Sequence, residues 1–169
     1  VENCTKKVDE FYSLYKPGNL EALIEFWADD SPDRDDFRIS TQRLFENSSE
    51  FKLSGPTILG TDAKDDVIRI LASVSINGKL ENRSFLFIRK HDNRKIWAIR
   101  SAERDLAAQL TAAGNDDEIN RLFRANSSIH NSELCSLLEN SMFKLLDGAD
   151  FAVNRKIGEL TLGLARSIE

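Results

Sequence analysis

The chain has 169 residues, a formal net charge of −5, 30% charged and 41% apolar residues. That size allows one domain, or about 100 residues of domain with an appendage, and the composition excludes intrinsic disorder. Acidic and basic residues are interspersed, without the clustered cationic face that nucleic acid requires. No apolar run is long enough for a membrane-spanning helix.

Val8, Phe11, Tyr12 and Tyr15 recur at helical spacing and predict an amphipathic first helix, ended by Pro17-Gly18. Leu20, Leu23, Ile24 and Trp27 repeat the period in a second helix closing near Asp29-Asp30. Ser31-Pro32-Asp33 reads as the cap of a third, with Phe37, Thr41, Leu44 and Phe45 on its apolar side. From Phe51 the period changes to 2. Residues 51–60 predict a strand bent, or held to an edge, by Gly55-Pro56. Residues 66–76 predict the clearest strand, with Ile68, Ile70, Ala72, Val74 and Ile76 facing one way. Asn77-Gly78 predicts a tight hairpin, because a type I′ turn needs positive φ at both central residues. Strands over 81–90 and 95–101 complete a four-stranded antiparallel meander that needs a helical layer on its apolar face.

After Ala102 only helical spacing remains. Leu106 and Leu110 predict one helix ending at Gly114; Ile119, Leu122 and Phe123 predict another. Leu134, Leu137, Leu138, Met142 and Leu145 predict a longer one ending at Gly148. Val153, Ile157, Leu160, Leu164 and Ile168 then hold one apolar stripe. A start at Val1 and an uncapped helical pattern at Glu169 are what an excised piece of a longer protein would show. Cys4 and Cys135 have no metal-ligand spacing; Cys135 reads as a buried thiol, with a disulfide to Cys4 left open.

The residues assemble no catalytic, cofactor or metal constellation. Asp29, Asp30, Asp35 and Asp36 fall at helix ends, where carboxylates cap or stay solvated. His91 and His130 fall in polar turns, with no Ser/His/Asp order, phosphate loop or paired metal-binding His to recruit them. Arg69, Arg83, Arg89 and Arg100 read as solvent-facing strand residues; on a concave face, one would hold an anion.

Phe11-Tyr12, Gly18 to Glu21, Phe26 to Asp30, Ile68 to Val74 and Ile96-Trp97, in this order of helices and strands, resemble the NTF2-like (SnoaL-type) superfamily over residues 1–103. Gly148-Ala149-Asp150-Phe151 and the helix after it resemble the turn and second helix of a tetratricopeptide (TPR) repeat, although Asn154 and Gly158 depart from that pattern. The two resemblances together imply the order of certain bacterial multidomain TPR and CHAT-type proteins. The expected fold is therefore α+β: three N-terminal helices on a curved four-stranded antiparallel meander, an NTF2-like cone, then a helical extension. Residues 1–103 form the cone, 104–130 linking helices, and 131–169 a TPR-like pair.

The function expected is non-catalytic, an interaction and scaffolding module capping a helical array, with no cofactor. The stripe Val153, Ile157, Leu160, Leu164 and Ile168 would meet downstream repeats, another protein, or a second copy in a homodimer. The alternative is a small-molecule-binding or SnoaL-like enzyme domain whose apolar pocket is lined by Phe26, Trp27, Phe45, Phe85, Phe87 and Trp97. The same rings serve equally as simple core. The compartment stays open, an extracytoplasmic one being favoured over the cytoplasm.

Overall fold

The computed structural model describes residues 1–47, 50–88, 95–113, 115–145 and 151–168, with backbone alone at 142–145 and 151–154. In α1 (Glu2–Leu14) the helical period turns Cys4, Val8, Phe11 and Tyr12 to one buried side. Gly18, at φ +90°, reverses the chain into α2 (Leu20–Ile24). This helix is shorter than its period predicts, because a sheet contact ends it. The Ile96 amide donates to the Phe26 carbonyl at 2.7 Å, and the Ala28 amide donates back to the Ile96 carbonyl at 2.9 Å. Trp27 thus sits in a parallel bridge to Ile96 rather than on a helix. Ser31 extends the clasp: its hydroxyl donates to the Trp97 carbonyl at 2.6 Å and accepts from the Asp33 amide at 3.2 Å, just before α3 (Arg34–Asn47).

The strands β1 (Leu53–Lys64), β2 (Val67–Ile76), β3 (Lys79–Ile88) and β4 (Ala98–Ser101) form one sheet in the order β1-β2-β3-β4, every neighbour antiparallel. The Asn77-Gly78 hairpin is as its residues demand, with φ of 52° and 83°. It sets the register Ile76↔Lys79, and hence Val74↔Glu81, Ala72↔Arg83, Ile70↔Phe85 and Ile68↔Phe87. Asn77 also ties the hairpin to the residue before β1, its amide donating to the Lys52 carbonyl at 2.8 Å and its side-chain oxygen accepting from the Lys52 amide at 2.9 Å. β1 is an edge strand whose register shifts between Ser54 and Thr57, around Gly55-Pro56, and again before Gly60. It runs on to Lys64 because Asp65, at φ 54°, turns the chain directly into β2 and keeps Lys64 opposite Val67. Ile68, Ile70, Ala72, Val74 and Ile76 are buried in one cluster with residues of α1 and α2, and Phe37, Leu44 and Phe45 of α3 pack against it.

The chain is α+β, and its internal contacts divide it into two units, Val1–Ser101 and Ala102–Glu169. The second unit contains α4 (Ala102–Ala112), α5 (Asp116–Ala125), a 3-10 turn at Ser127–Ile129, α6 (Ser132–Leu145) and α7 (Phe151–Ile168). α4 packs on α5, α6 and α7, and α7 also on α5 and α6. Leu106, Leu110, Ile119, Ile129, Leu134, Leu138, Ile157 and Leu164 are among its buried residues. Asn115 caps α5, accepting from the Glu118 amide at 2.9 Å. Asn131 caps α6, accepting from the Leu134 amide at 3.0 Å, while its amide group donates to the buried Glu103 carboxylate at 2.8 Å. The helix ends expected at Gly114 and Gly148, and the Gly148–Asp150 part of the TPR-like turn, lie outside the described residues.

Both tryptophans, Trp27 and Trp97, belong to the first unit, so their fluorescence reports its unfolding alone. A methyl group on Gly78 would meet open space, leaving only the cost of positive φ. Gly78→Ala is expected to lower the stability of this unit by about 1 kcal/mol, read by denaturant titration of tryptophan fluorescence. In the second unit His130 stacks on Phe123 with ring centroids 3.8 Å apart and bonds through Nε2 to the Phe123 carbonyl at 2.9 Å. Burial holds its imidazole below the ordinary value, partly offset by that bond. The unfolded chain therefore takes the proton first as pH falls, so this contribution is complete above about pH 6.5 and is lost below it. Helical circular dichroism should show thermal stability falling from pH 7 toward 5, with a shallower fall in His130→Gln.

Candidate functional site

The face of the sheet turned toward the helices is lined by rings that pack on one another. Phe11 is their meeting point, with centroids 5.6 Å from Tyr12, 5.5 Å from Tyr15, 5.8 Å from Phe26, 5.8 Å from Phe37 and 5.5 Å from Phe85. Trp27 lies against Phe37 at 4.8 Å, and Tyr15 continues to Phe45 at 5.5 Å and Phe51 at 6.0 Å. Most of these pairs are edge-on or tilted, the geometries that bring positive ring edges to negative faces. Phe11, Trp27, Phe85 and Phe87 are wholly enclosed.

Arg83 is the charged side chain this face carries deep among the rings. The register places it beside Ala72, one pleat from Phe85, and its side chain is 15% exposed. Its Nε and Nη2 both donate to Glu81 Oε2, at 3.1 and 2.8 Å, and its guanidinium lies 5.2 Å from the centre of the Tyr15 ring. Burial works against the charge of Arg83, but Tyr15, Tyr12 and Glu81 outweigh it and hold the guanidinium more firmly protonated than usual. Burial pushes the Tyr12 hydroxyl above the ordinary phenol range, against the pull of the nearby Arg83 charge. That hydroxyl is shut off from solvent and meets no hydrogen-bond partner in bonding geometry among the described residues.

Of the rings expected to line a pocket, Phe26, Trp27, Phe45, Phe85 and Phe87 come together here. Trp97 is half-buried and stands outside the cluster, its carbonyl held by Ser31. Phe11, Tyr12, Tyr15, Phe37 and Phe51 complete the lining; the first three belong to the α1 period and were legible as core rather than as site. The solvent-facing expectation fails for Arg83. Counting back from the Asn77-Gly78 turn puts it on the Ile70 face, because side chains alternate strictly in a strand. Arg69 lies on the opposite face, 3.7 Å from the Asp62 carboxylate, and Arg100 is exposed. Arg89 and His91 lie outside the described residues. Asp29, Asp30, Asp35 and Asp36 are exposed, and Asp29 pairs with Arg34 at 3.1 Å.

On α7, Ile157 and Leu164 are buried, Leu160 is half-buried, and Ile168 is 43% exposed; the Val153 side chain lies outside the described residues. The inner part of the stripe is thus occupied by packing within the chain. Cys4 and Cys135 are separate buried thiols, each pushed above the usual thiol range chiefly by burial. Among the described residues, no three His, Cys, Asp or Glu side chains gather as metal ligands would, and no helix is long and apolar enough to cross a membrane.

The chain matches no protein-family model, no curated protein and no solved structure.

Phe11→Ala removes the ring that joins α1, α3 and β3. It should destabilise the first unit by about 3–5 kcal/mol, read by tryptophan fluorescence in denaturant.

Proposed function

We propose that this chain is a non-catalytic interaction module, an NTF2-like leader domain followed by TPR-like helices. The observation that carries the reading is the filled face of the sheet. Phe11, Trp27, Phe85 and Phe87 occupy the space a substrate would need, and none is exposed by more than 1%. General acid–base work also needs a group poised near the working pH. Of the groups on this face, Tyr12 is pushed above the phenol range and Arg83 is held firmly cationic, so neither is so poised. An enzyme of the SnoaL-like kind is therefore the weaker reading.

The interaction surface in this proposal is the outer part of α7. Ile157 and Leu164 anchor the helix in its own unit, while Leu160 is partly open and Ile168 is 43% exposed. Helical repeats stack through equivalent faces, and a lone pair leaves one such face uncovered. The partner is an equivalent helical pair, in downstream repeats or in a second copy of the chain. A second copy presents the same face, so self-association is the accessible readout. Sedimentation equilibrium should show concentration-dependent association that Leu160→Asp weakens and Ile168→Asp, at an exposed position, weakens without loss of helical circular dichroism. A monomer at all concentrations, or an association unchanged by both substitutions, contradicts the reading.

A further inference from the structure

We infer that Asn77 is a deamidation site that the folded hairpin keeps closed, so that it is converted only in chains whose Asn77-Gly78 turn has opened. This goes beyond the interaction reading and does not depend on it. Asn77 is the one asparagine of the sequence that glycine follows. A side chain on the next residue crowds its amide nitrogen, and glycine has none. Both turn residues are exposed, and a Cβ built on Gly78 would meet nothing within 4 Å. The reaction needs only water. The Gly78 nitrogen gives up its proton and bonds to Asn77 Cγ; the Cγ–Nδ2 bond breaks, and Nδ2 takes up a proton and leaves as ammonia. Water then opens the five-membered imide at either carbonyl, leaving an aspartyl or an isoaspartyl link.

The native turn holds the reacting atoms apart. Ring closure needs the Gly78 nitrogen eclipsed with Asn77 Cβ across the Cα–C bond. Asn77, at φ 52°, is in the left-handed conformation, whose ψ of about +47° sets the two nearly opposite. Lys52 fixes that arrangement at two points. The Asn77 amide donates to the Lys52 carbonyl at 2.8 Å, and Oδ1 accepts from the Lys52 amide at 2.9 Å. Swinging the carboxamide toward Gly78 breaks the second bond, and rotating ψ breaks the Ile76↔Lys79 register. Conversion therefore proceeds at the pace of opening. Its two products differ in consequence. The aspartyl link keeps a turn-forming residue and an oxygen for the Lys52 amide. The isoaspartyl link puts Cβ into the main chain, so the two-residue turn no longer fits and the register from Ile76↔Lys79 onward is lost. Each such link is an irreversible record that a chain has opened.

The test incubates the full chain at mildly alkaline pH, with and without concentrated urea, and follows every asparagine by peptide mass mapping. In urea Asn77 should convert first, and without urea it should convert at least about tenfold more slowly. Lys52→Pro deletes the amide that holds Oδ1. It should speed conversion about threefold or more at a temperature where its tryptophan fluorescence is that of the folded chain. Asn77→Asp should melt with the parent, and the isolated isoaspartyl chain about 5 °C or more below it. The inference is overturned by equal rates with and without urea, or by another asparagine converting first in urea. It is equally overturned by a folded Lys52→Pro chain that keeps the parent's rate, or by an isoaspartyl chain that melts with the parent.

Discussion

The ring of Phe11 is the point on which the first unit depends. It projects from α1 and touches Phe26 after α2, Phe37 in α3 and Phe85 in β3, so one side chain joins the three helical segments to the middle of the sheet. An isolated meander would leave Ile68, Ile70, Ala72, Val74 and Ile76 against water, and an isolated α1 of 13 residues is too short to persist alone. Each layer forms because the other covers it. The clasp from Phe26 to Ser31 works at the margin of this packing, fastening the chain between α2 and α3 to the residues just before β4 through two backbone bonds and the Ser31 hydroxyl.

The same packing explains the electrostatics of the face. Rings that exclude water leave Arg83 in a medium where an unpaired charge would be costly. The chain answers with a carboxylate two residues away on the same face of the same strand, and with an aromatic ring beneath the guanidinium. Tyr12 is drawn into this corner by its place on the α1 period, which serves packing first. Its hydroxyl is therefore buried by the requirements of the ring, with no partner in bonding geometry among the described residues.

How much could be read from the sequence follows from where the deciding interaction lies. The β2–β3 hairpin was legible because alternation and Asn77-Gly78 are local signals that agree. The end of β1 was not, since residues 61–64 are exposed on an edge and carry no apolar alternation; only pairing with β2 defines them as strand. Nor was the place of Trp27, whose helical period is overridden by a bridge to Ile96, far along the chain. The rings of the candidate site were visible as apolar positions, but their convergence on Phe11 depends on how three helices meet one sheet. Arg83 was misjudged from residue type, when the register from the turn decides its face. Leu71, Ser84 and Leu86, on the opposite face, are buried as well, and nothing in their alternation announced it. On α7 the stripe was legible as apolar but not as already occupied, because a helical period says that a face is covered and not by what.

If the helices and the sheet of the first unit exist only through each other, they must open together. Native-state hydrogen exchange tests this most directly, comparing amides of α1 with those of β2 and β3 under conditions where exchange reports opening free energies. The account predicts one common value for the slowest amides of both layers, equal to the unfolding free energy read by tryptophan fluorescence. An α1 that exchanges at much lower free energy, with β2 and β3 still protected, would contradict it.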